Sequence, residues 1–117
     1  DETEALNFFL QGDVEVIIYT KGTNGAEFIT KERKVFSPSF KVEAQDTTGA
    51  GDSFIGSFLY QVAEGDNTLE SLVNLPEEKV KEILTFSNAT AALTVCKRGA
   101  IGALPTKEEV LTLAQGR

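Results

Sequence analysis

The chain has 117 residues, of which 41% are hydrophobic and 25% are charged, and its net charge is −7. This composition is typical of one small globular unit. The acidic balance argues against a surface that binds nucleic acid or an anionic membrane, because such surfaces need clustered Lys and Arg. The chain has no histidine, which removes the commonest metal ligand and any Ser-His or Cys-His catalysis.

The remaining global features point to a cytoplasmic protein. No apolar window reaches the length that crosses a membrane, and residues 1–4 are acidic where a signal peptide has a basic start. The single cysteine, Cys96, lies in an apolar helical run, so we expect a buried thiol rather than a reactive one.

Periodicity and turn residues predict an α/β order of elements. The predicted strands cover residues 14–20, 26–30, 35–36 and 40–44. The predicted helices cover residues 3–9, 51–63, 68–75 and 76–95. A last helix is capped by residues 105–109 and ends near Ala114. Residues 14–20 are β-branched and nearly continuously apolar, which is typical of a buried strand in a parallel sheet. Residues 31–34 form the charged turn of a hairpin. The helix 51–63 places Phe54, Phe58, Leu59 and Val62 on one face.

The most informative stretch is residues 46–52, with the sequence DTTGAGD, between a predicted strand and a predicted helix. A glycine-rich turn at a helix N-terminus presents unpaired N–H groups and the positive end of the helix dipole, which together bind anions such as phosphate. A carboxylate at this position, Asp52, is electrostatically costly unless it has a task such as accepting a proton from an attacking hydroxyl. The alternative is that Asp52 only complements the dipole and the glycines form an ordinary turn.

Residues 46–52 resemble the second signature of the ribokinase (phosphofructokinase-B-type) carbohydrate kinase family. The resemblance implies that Gly49, Ala50 and Gly51 form an anion hole for the transferred phosphoryl group and that Asp52 is the catalytic base. It also implies a ribokinase-like α/β fold, with a doubly wound, mainly parallel sheet flanked by helices. Residues 1–117 would be a single partial domain, the nucleotide-binding and catalytic C-terminal part, without the N-terminal sugar-binding part and the lid.

Two further segments are implied to contact the nucleotide. Residues 20–25, TKGTNG, follow the apolar strand, and residues 86–93 form a helix face rich in small side chains. The nucleotide-binding residues that the resemblance implies are Thr20, Lys21, Gly22, Gly25, Asn88 and Ala92. The alternatives are a plain βαβ-edge or hairpin turn for the first segment and close helix-on-sheet packing for the second.

Residues 96–105 resemble the family loop that binds a monovalent cation, usually potassium, through backbone carbonyls. The implied ligands are Asp46, Thr48, Thr94, Lys97, Gly99 and Ala103. Some relatives have a serine hydroxyl at the last of these positions, which Ala103 cannot supply. The alternative for Lys97 and Arg98 is compensation of the dipole at a helix C-terminus.

The resemblance therefore implies a sugar kinase most like a fructokinase, which forms fructose 6-phosphate from fructose and ATP. The implied cofactors are ATP and Mg²⁺, the latter held largely through water, with K⁺ at the cation site. Ribokinase and 2-keto-3-deoxygluconate kinase share the signature and stay open as alternatives. A non-catalytic nucleotide-binding or interaction module is another, and the intact Asp52 weighs against it. The implied partners are a small sugar and ATP, and a homodimer of the full-length protein is allowed.

We expect these 117 residues alone to have no kinase activity, because the sugar-binding carboxylate, the Gly-Gly motif and the lid of the family are not visible in the sequence. A coupled ADP-release assay with fructose measures this. Turnover above the protein-free background would contradict the expectation.

Overall fold

The computed structural model describes residues 4, 8, 10–12, 14–40, 50–65, 69–96 and 106–115. In these ranges the chain forms three strands followed by four α-helices. The strands are β1 (Ile17–Thr20), β2 (Ala26–Ile29) and β3 (Lys34–Ser37). The helices are α1 (Ala50–Glu64), α2 (Leu69–Val73), α3 (Glu77–Cys96) and α4 (Lys107–Gln115). Before β1, Glu4 and Phe8 are helical, as the predicted helix 3–9 requires, and Leu10 and Gln11 beyond its predicted end are helical too.

The three strands form an antiparallel sheet in the order β1-β2-β3. Thr20 pairs with Ala26 at one end of the first ladder, and Ala26 pairs with Ser37 in the second. A three-residue 3₁₀ turn, Gly22–Asn24, joins β1 to β2. A connection this short joins only antiparallel strands, since a parallel pair needs a crossover of a dozen or more residues.

The prediction that residues 14–20 form a buried strand of a parallel sheet is therefore wrong for this part of the chain. Ile17, Ile18 and Tyr19 are only half-buried, and their strand pairs antiparallel with β2. The continuous apolar run indicated burial on both faces, whereas strand direction depends on the connection that follows. Of the predicted strand 40–44, Phe40 is not in a strand, and residues 41–44 lie outside the described residues.

The predicted hairpin across residues 26–36 is confirmed, and Thr30 closes its turn. The Thr30 hydroxyl oxygen accepts hydrogen bonds from the backbone N–H groups of Glu32 and Arg33, both at 3.2 Å. The Thr30 N–H donates to the Arg33 carbonyl at 2.8 Å. The Arg33 guanidinium then donates to the carbonyls of Val73, at 3.1 Å, and Leu75. The turn thus binds the sheet to the C-terminal end of α2, where carbonyls lack helical partners.

The hydrophobic core lies between the sheet and the helices α1 and α3. Its buried members are Ala26, Phe28, Val35, Phe54, Phe58, Leu72, Val80, Ile83 and Leu84. Helix α1 contributes Phe54 and Phe58, one turn apart, with Val62 packed beside them. Leu59, predicted on the same face, is instead 59% exposed. Each helical residue turns by about 100°, so the stripe formed by every fourth residue leaves Leu59 outside it.

The last two helices begin as their sequences predict. The Val80 N–H donates to the carbonyl of Pro76 at 3.1 Å, so the proline stands at the entry to α3. At α4, the Glu109 N–H donates to the Thr106 hydroxyl and the Thr106 N–H donates to the Glu109 carboxylate, both at 3.1 Å. This reciprocal pair is a capping box. No helix within the described ranges has the length and hydropathy needed to cross a lipid bilayer.

Replacing Gly25 by alanine is expected to destabilise the protein by more than about 2 kcal/mol. Its φ is +104°, and an added Cβ would lie 2.3 Å from the Ser37 carbonyl oxygen. Gly22→Ala is the matched control, because its φ of +58° is also positive but no described atom lies within 4 Å of its Cβ position. We expect it to lose only about 1 kcal/mol. Urea denaturation of both variants measures the difference, and equal losses would contradict the close approach of Gly25 to β3.

Candidate active site

The last three residues of the signature open helix α1. Ala50, Gly51 and Asp52 occupy its first turn, where backbone N–H groups have no carbonyl one turn earlier in the helix. Gly51 and Asp52 are exposed, and a Cβ on Gly51 would meet no described atom within 4 Å. An exposed helix N-terminus beside a carboxylate can hold an anion and accept a proton at adjacent positions. Outside the described residues lie Asp46, Thr48 and Gly49.

Polar side chains fix α1 against α3. The Gln61 amide nitrogen donates to the Ile83 carbonyl at 3.1 Å and to the Ser87 hydroxyl at 3.0 Å. One turn along, the hydroxyls of Thr90 and Ser57 are 3.2 Å apart. Because each bond has a particular partner, this network sets the position of α1 along α3 as well as its rotation. These residues were not predicted from the sequence, although Ser57 and Gln61 are polar and are spaced one helical turn apart, which places them on one face.

Residues 20–25 form the turn between β1 and β2, so the hairpin alternative describes their backbone. The Lys21 N–H donates to the Gly25 carbonyl at 2.7 Å, and the Gly25 N–H donates to the Gly22 carbonyl at 3.2 Å. Both glycines have positive φ, +58° and +104°, which explains why the turn needs glycine at these places. Thr20 is exposed at the end of β1, next to this turn. A nucleotide role for these four residues stays a prediction.

The ammonium group of Lys21, the implied phosphate contact, already has partners in the structure. It lies 2.6 Å from a carboxylate oxygen of Glu27 and 5.3 Å from the centre of the Tyr19 ring. Glu27 therefore neutralises the one lysine of the turn, a contact that was not predicted from the sequence. The hairpin register pairs Tyr19 with Glu27, and this pairing places both residues next to the turn.

Asn88 and Ala92, implied to lie next to the base, are both buried, with exposed fractions of 4% and 5%. The Asn88 amide nitrogen donates to the carbonyls of Ser37, at 3.1 Å, and Pro38, at 3.3 Å. This helix face therefore packs against the end of β3, and the contact with a base stays a prediction.

Among the implied cation ligands, Thr94 lies in the described part of α3. Its hydroxyl donates to the Thr90 carbonyl at 2.8 Å. Its own carbonyl belongs to the last turn of the helix, where carbonyls have no helical partner and the dipole is negative. That carbonyl is a suitable ligand for a hard cation. The remaining positions, Lys97, Gly99 and Ala103, lie outside the described residues. Among those described, no cluster of three or more Cys, Asp or Glu side chains could hold a metal.

At the other end of α1, the Tyr60 hydroxyl donates to a Glu64 carboxylate oxygen at 2.7 Å. This hydrogen bond and the negative charge of Glu64 raise the pKa of Tyr60 above its ordinary value. The pair is exposed and lies at the opposite end of the helix from Asp52, so it takes no part in the candidate site.

Comparison with known proteins agrees with this geometry. Residues 1–107 match the model of the pfkB family carbohydrate kinases, and the chain belongs to that family. It is 43% identical over 106 residues to fructokinase-2 of Zea mays, an alignment that covers 91% of this chain and 30% of the relative.

Solved structures support the same fold. A fructokinase with bound ATP from Xylella fastidiosa superposes with a TM-score of 0.87 at 30% identity, over 99% of this chain and 37% of the other. A ribokinase from Thermotoga maritima gives a TM-score of 0.71 at 32% identity, over 96% of this chain and 34% of the other. The chain therefore spans about a third of the length of these relatives, and the ribokinase-like α/β fold class is confirmed. The antiparallel sheet described above is one part of that fold.

Replacing Gln61 by alanine is expected to lower the free energy of unfolding by about 1–3 kcal/mol, because it removes the partly buried hydrogen bonds to Ile83 and Ser87. The control is Leu59→Ala on the same helix, which is 59% exposed and should change stability by less than about 0.5 kcal/mol. Thermal or urea denaturation compares the two. A Gln61→Ala variant as stable as the control would show that the network does not hold α1.

Proposed function

We propose that the protein to which this chain contributes transfers the γ-phosphoryl group of ATP to a hydroxyl of a sugar, with fructose as the substrate and fructose 6-phosphate as the product. The observation that carries the proposal is the position of Asp52, exposed in the first turn of α1 beside the open backbone of Gly51. The identity of 43% to a fructokinase of Zea mays supports fructose over other sugars.

In the proposed reaction Asp52 accepts the proton of the sugar hydroxyl while the hydroxyl oxygen attacks the γ-phosphorus of ATP. The bond between the γ-phosphorus and the β–γ bridging oxygen breaks, and ADP leaves. The N–H groups of Gly49, Ala50 and Gly51 hold the negative charge that gathers on the transferred group. The positive end of the α1 dipole adds to their effect. Each such donor contributes about 2.7–4 kcal/mol to lowering the barrier in enzymes where one has been removed.

The nucleotide is proposed to lie against the turn of residues 20–25. There Gly22 is exposed and no described atom lies within 4 Å of its Cβ position, so the backbone carries no side chain that would keep phosphates away. Mg²⁺, held largely through water, would neutralise part of the charge of the phosphates. The Thr94 carbonyl, at the negative end of α3, is proposed as one ligand of a potassium ion.

Other sugar kinases of the family, such as a ribokinase or a 2-keto-3-deoxygluconate kinase, would use the same α1 terminus. A panel of fructose, ribose and 2-keto-3-deoxygluconate with the full-length protein decides among them. A non-catalytic nucleotide-binding module would bind ATP and turn over none of the three sugars.

Asp52→Asn in the full-length protein is expected to lower kcat by about 10²–10⁴-fold, because the amide cannot accept the hydroxyl proton. ATP affinity measured by calorimetry should change little, since the substitution leaves the proposed nucleotide turn intact. Glu78→Gln is the matched control, because it removes one exposed carboxylate from the first turn of α3.

The control should keep the activity of the unmodified protein. If Asp52→Asn retains its turnover while ATP binding is unchanged, Asp52 is not the base and the proposed mechanism is wrong.

A further inference from the structure

We propose that Asn88 is a positioning residue: it holds the nucleotide turn, residues 20–25, in place relative to the segment that follows β3 towards the signature. In this reading the side chain does not contact the base of the nucleotide. The inference rests on the proposed function, because it concerns how that site is kept in shape.

The first observation is where the Asn88 amide donates. Its nitrogen lies 3.1 Å from the Ser37 carbonyl, 3.2 Å from the Ser37 hydroxyl and 3.3 Å from the Pro38 carbonyl. Ser37 is the last residue of β3, so one side chain of α3 holds two consecutive carbonyls where the chain leaves the sheet. Both side chains are buried, with exposed fractions of 4% for Asn88 and 3% for Ser37.

The second observation links the same carbonyl to the nucleotide turn. Gly25 ends that turn, and a Cβ on it would lie 2.3 Å from the Ser37 carbonyl oxygen and 2.9 Å from the Pro38 Cα. The next residue, Ala26, pairs with Ser37 in the sheet. The turn therefore packs against the Ser37 carbonyl, to which Asn88 donates a hydrogen bond. A displacement of that carbonyl would move Gly25.

Simple packing does not account for this side chain. Ala89 and Ala92, on the same helix, fill buried positions without polar atoms. A buried amide costs free energy unless its donors have partners, and here its partners are the carbonyls that support the turn. A carboxylate at this position would have no donor and would repel these carbonyls, so the side chain here needs a hydrogen-bond donor, which the amide supplies.

The experiment uses the full-length protein and the variant Asn88→Ala, with steady-state kinetics on fructose for both ATP and GTP. A positioning residue acts on the phosphate-binding turn, which the two nucleotides share. We expect KM to rise about tenfold for both nucleotides, with the ATP-to-GTP ratio of kcat/KM unchanged within about twofold and KM for fructose unaffected. A changed ratio would mean that Asn88 contacts the base, and it would overturn the proposal.

Val80→Ala is the matched control for loss of stability, because Val80 is buried in the core on the same helix and its side chain has no polar atom that could bond to Ser37. It should leave KM for both nucleotides unchanged. Ser37→Ala serves if Asn88→Ala does not fold, since it deletes one of the three acceptors and keeps both carbonyls. We expect an equal, smaller rise in both KM values, and a folded Ser37→Ala variant with unchanged KM would contradict the proposal.

Hydrogen exchange tests the same link without any kinase activity. In Asn88→Ala the backbone amides of Lys21 and Gly25 should exchange at least about fivefold faster than in Val80→Ala. Equal exchange rates in the two variants, or an unchanged KM in Asn88→Ala, would show that Asn88 only packs and does not position the turn, and would overturn the proposal. If the protein phosphorylates no sugar, the proposed function fails, and the exchange result still decides whether Asn88 supports the turn.

Discussion

The packing of α1 against α3 is the constraint on which the candidate site depends. Asp52 lies in the first turn of α1, so its position in space follows from the position of the whole helix. Phe54 and Phe58 fix the rotation of α1 by burying one face. Gln61 fixes the position of α1 along α3 through hydrogen bonds to particular atoms of α3. A purely apolar contact would tolerate sliding, and a slip of one helical turn would move the carboxylate by about 5.4 Å.

Helix α3 also supports the opposite part of the site, through the sheet. Asn88 is bonded to the end of β3, and the nucleotide turn rests on that same end through Gly25. Arg33 adds a connection from the hairpin to α2. The two segments proposed to hold the nucleotide and the reacting hydroxyl are thus both held by α3, through the hydrogen bonds of Asn88 and Gln61.

The sequence predicted what is encoded locally. The start of α1 at Ala50, the hairpin around residues 31–34 and the capping box at Thr106 all followed from turn and cap residues, and the structure agrees within one or two positions. The seven-residue signature of residues 46–52 is also local, because its residues are consecutive in the chain. For that reason the sequence was sufficient to indicate the family.

What the sequence did not predict depends on contacts between distant residues. The apolar run of β1 indicated burial and carried no information on strand direction. Glu27 reaches Lys21 only because the hairpin register brings them together, and Asn88 reaches Ser37 across 51 positions of the chain. Leu59 is apolar and next to Phe58 in the chain, but the rotation of about 100° per residue places it outside the buried stripe of α1.

The edge of β1 has a consequence for handling the chain. Within the described ranges β1 has a neighbouring strand on one side, and Ile17 and Ile18 lie along it. An apolar strand edge is a template onto which a second copy can add its own strand, the first step towards aggregates. The net charge of −7 makes copies repel one another, and salt screens that repulsion. Solutions of the isolated chain should therefore be clearest at low ionic strength and should turn cloudy as salt is added.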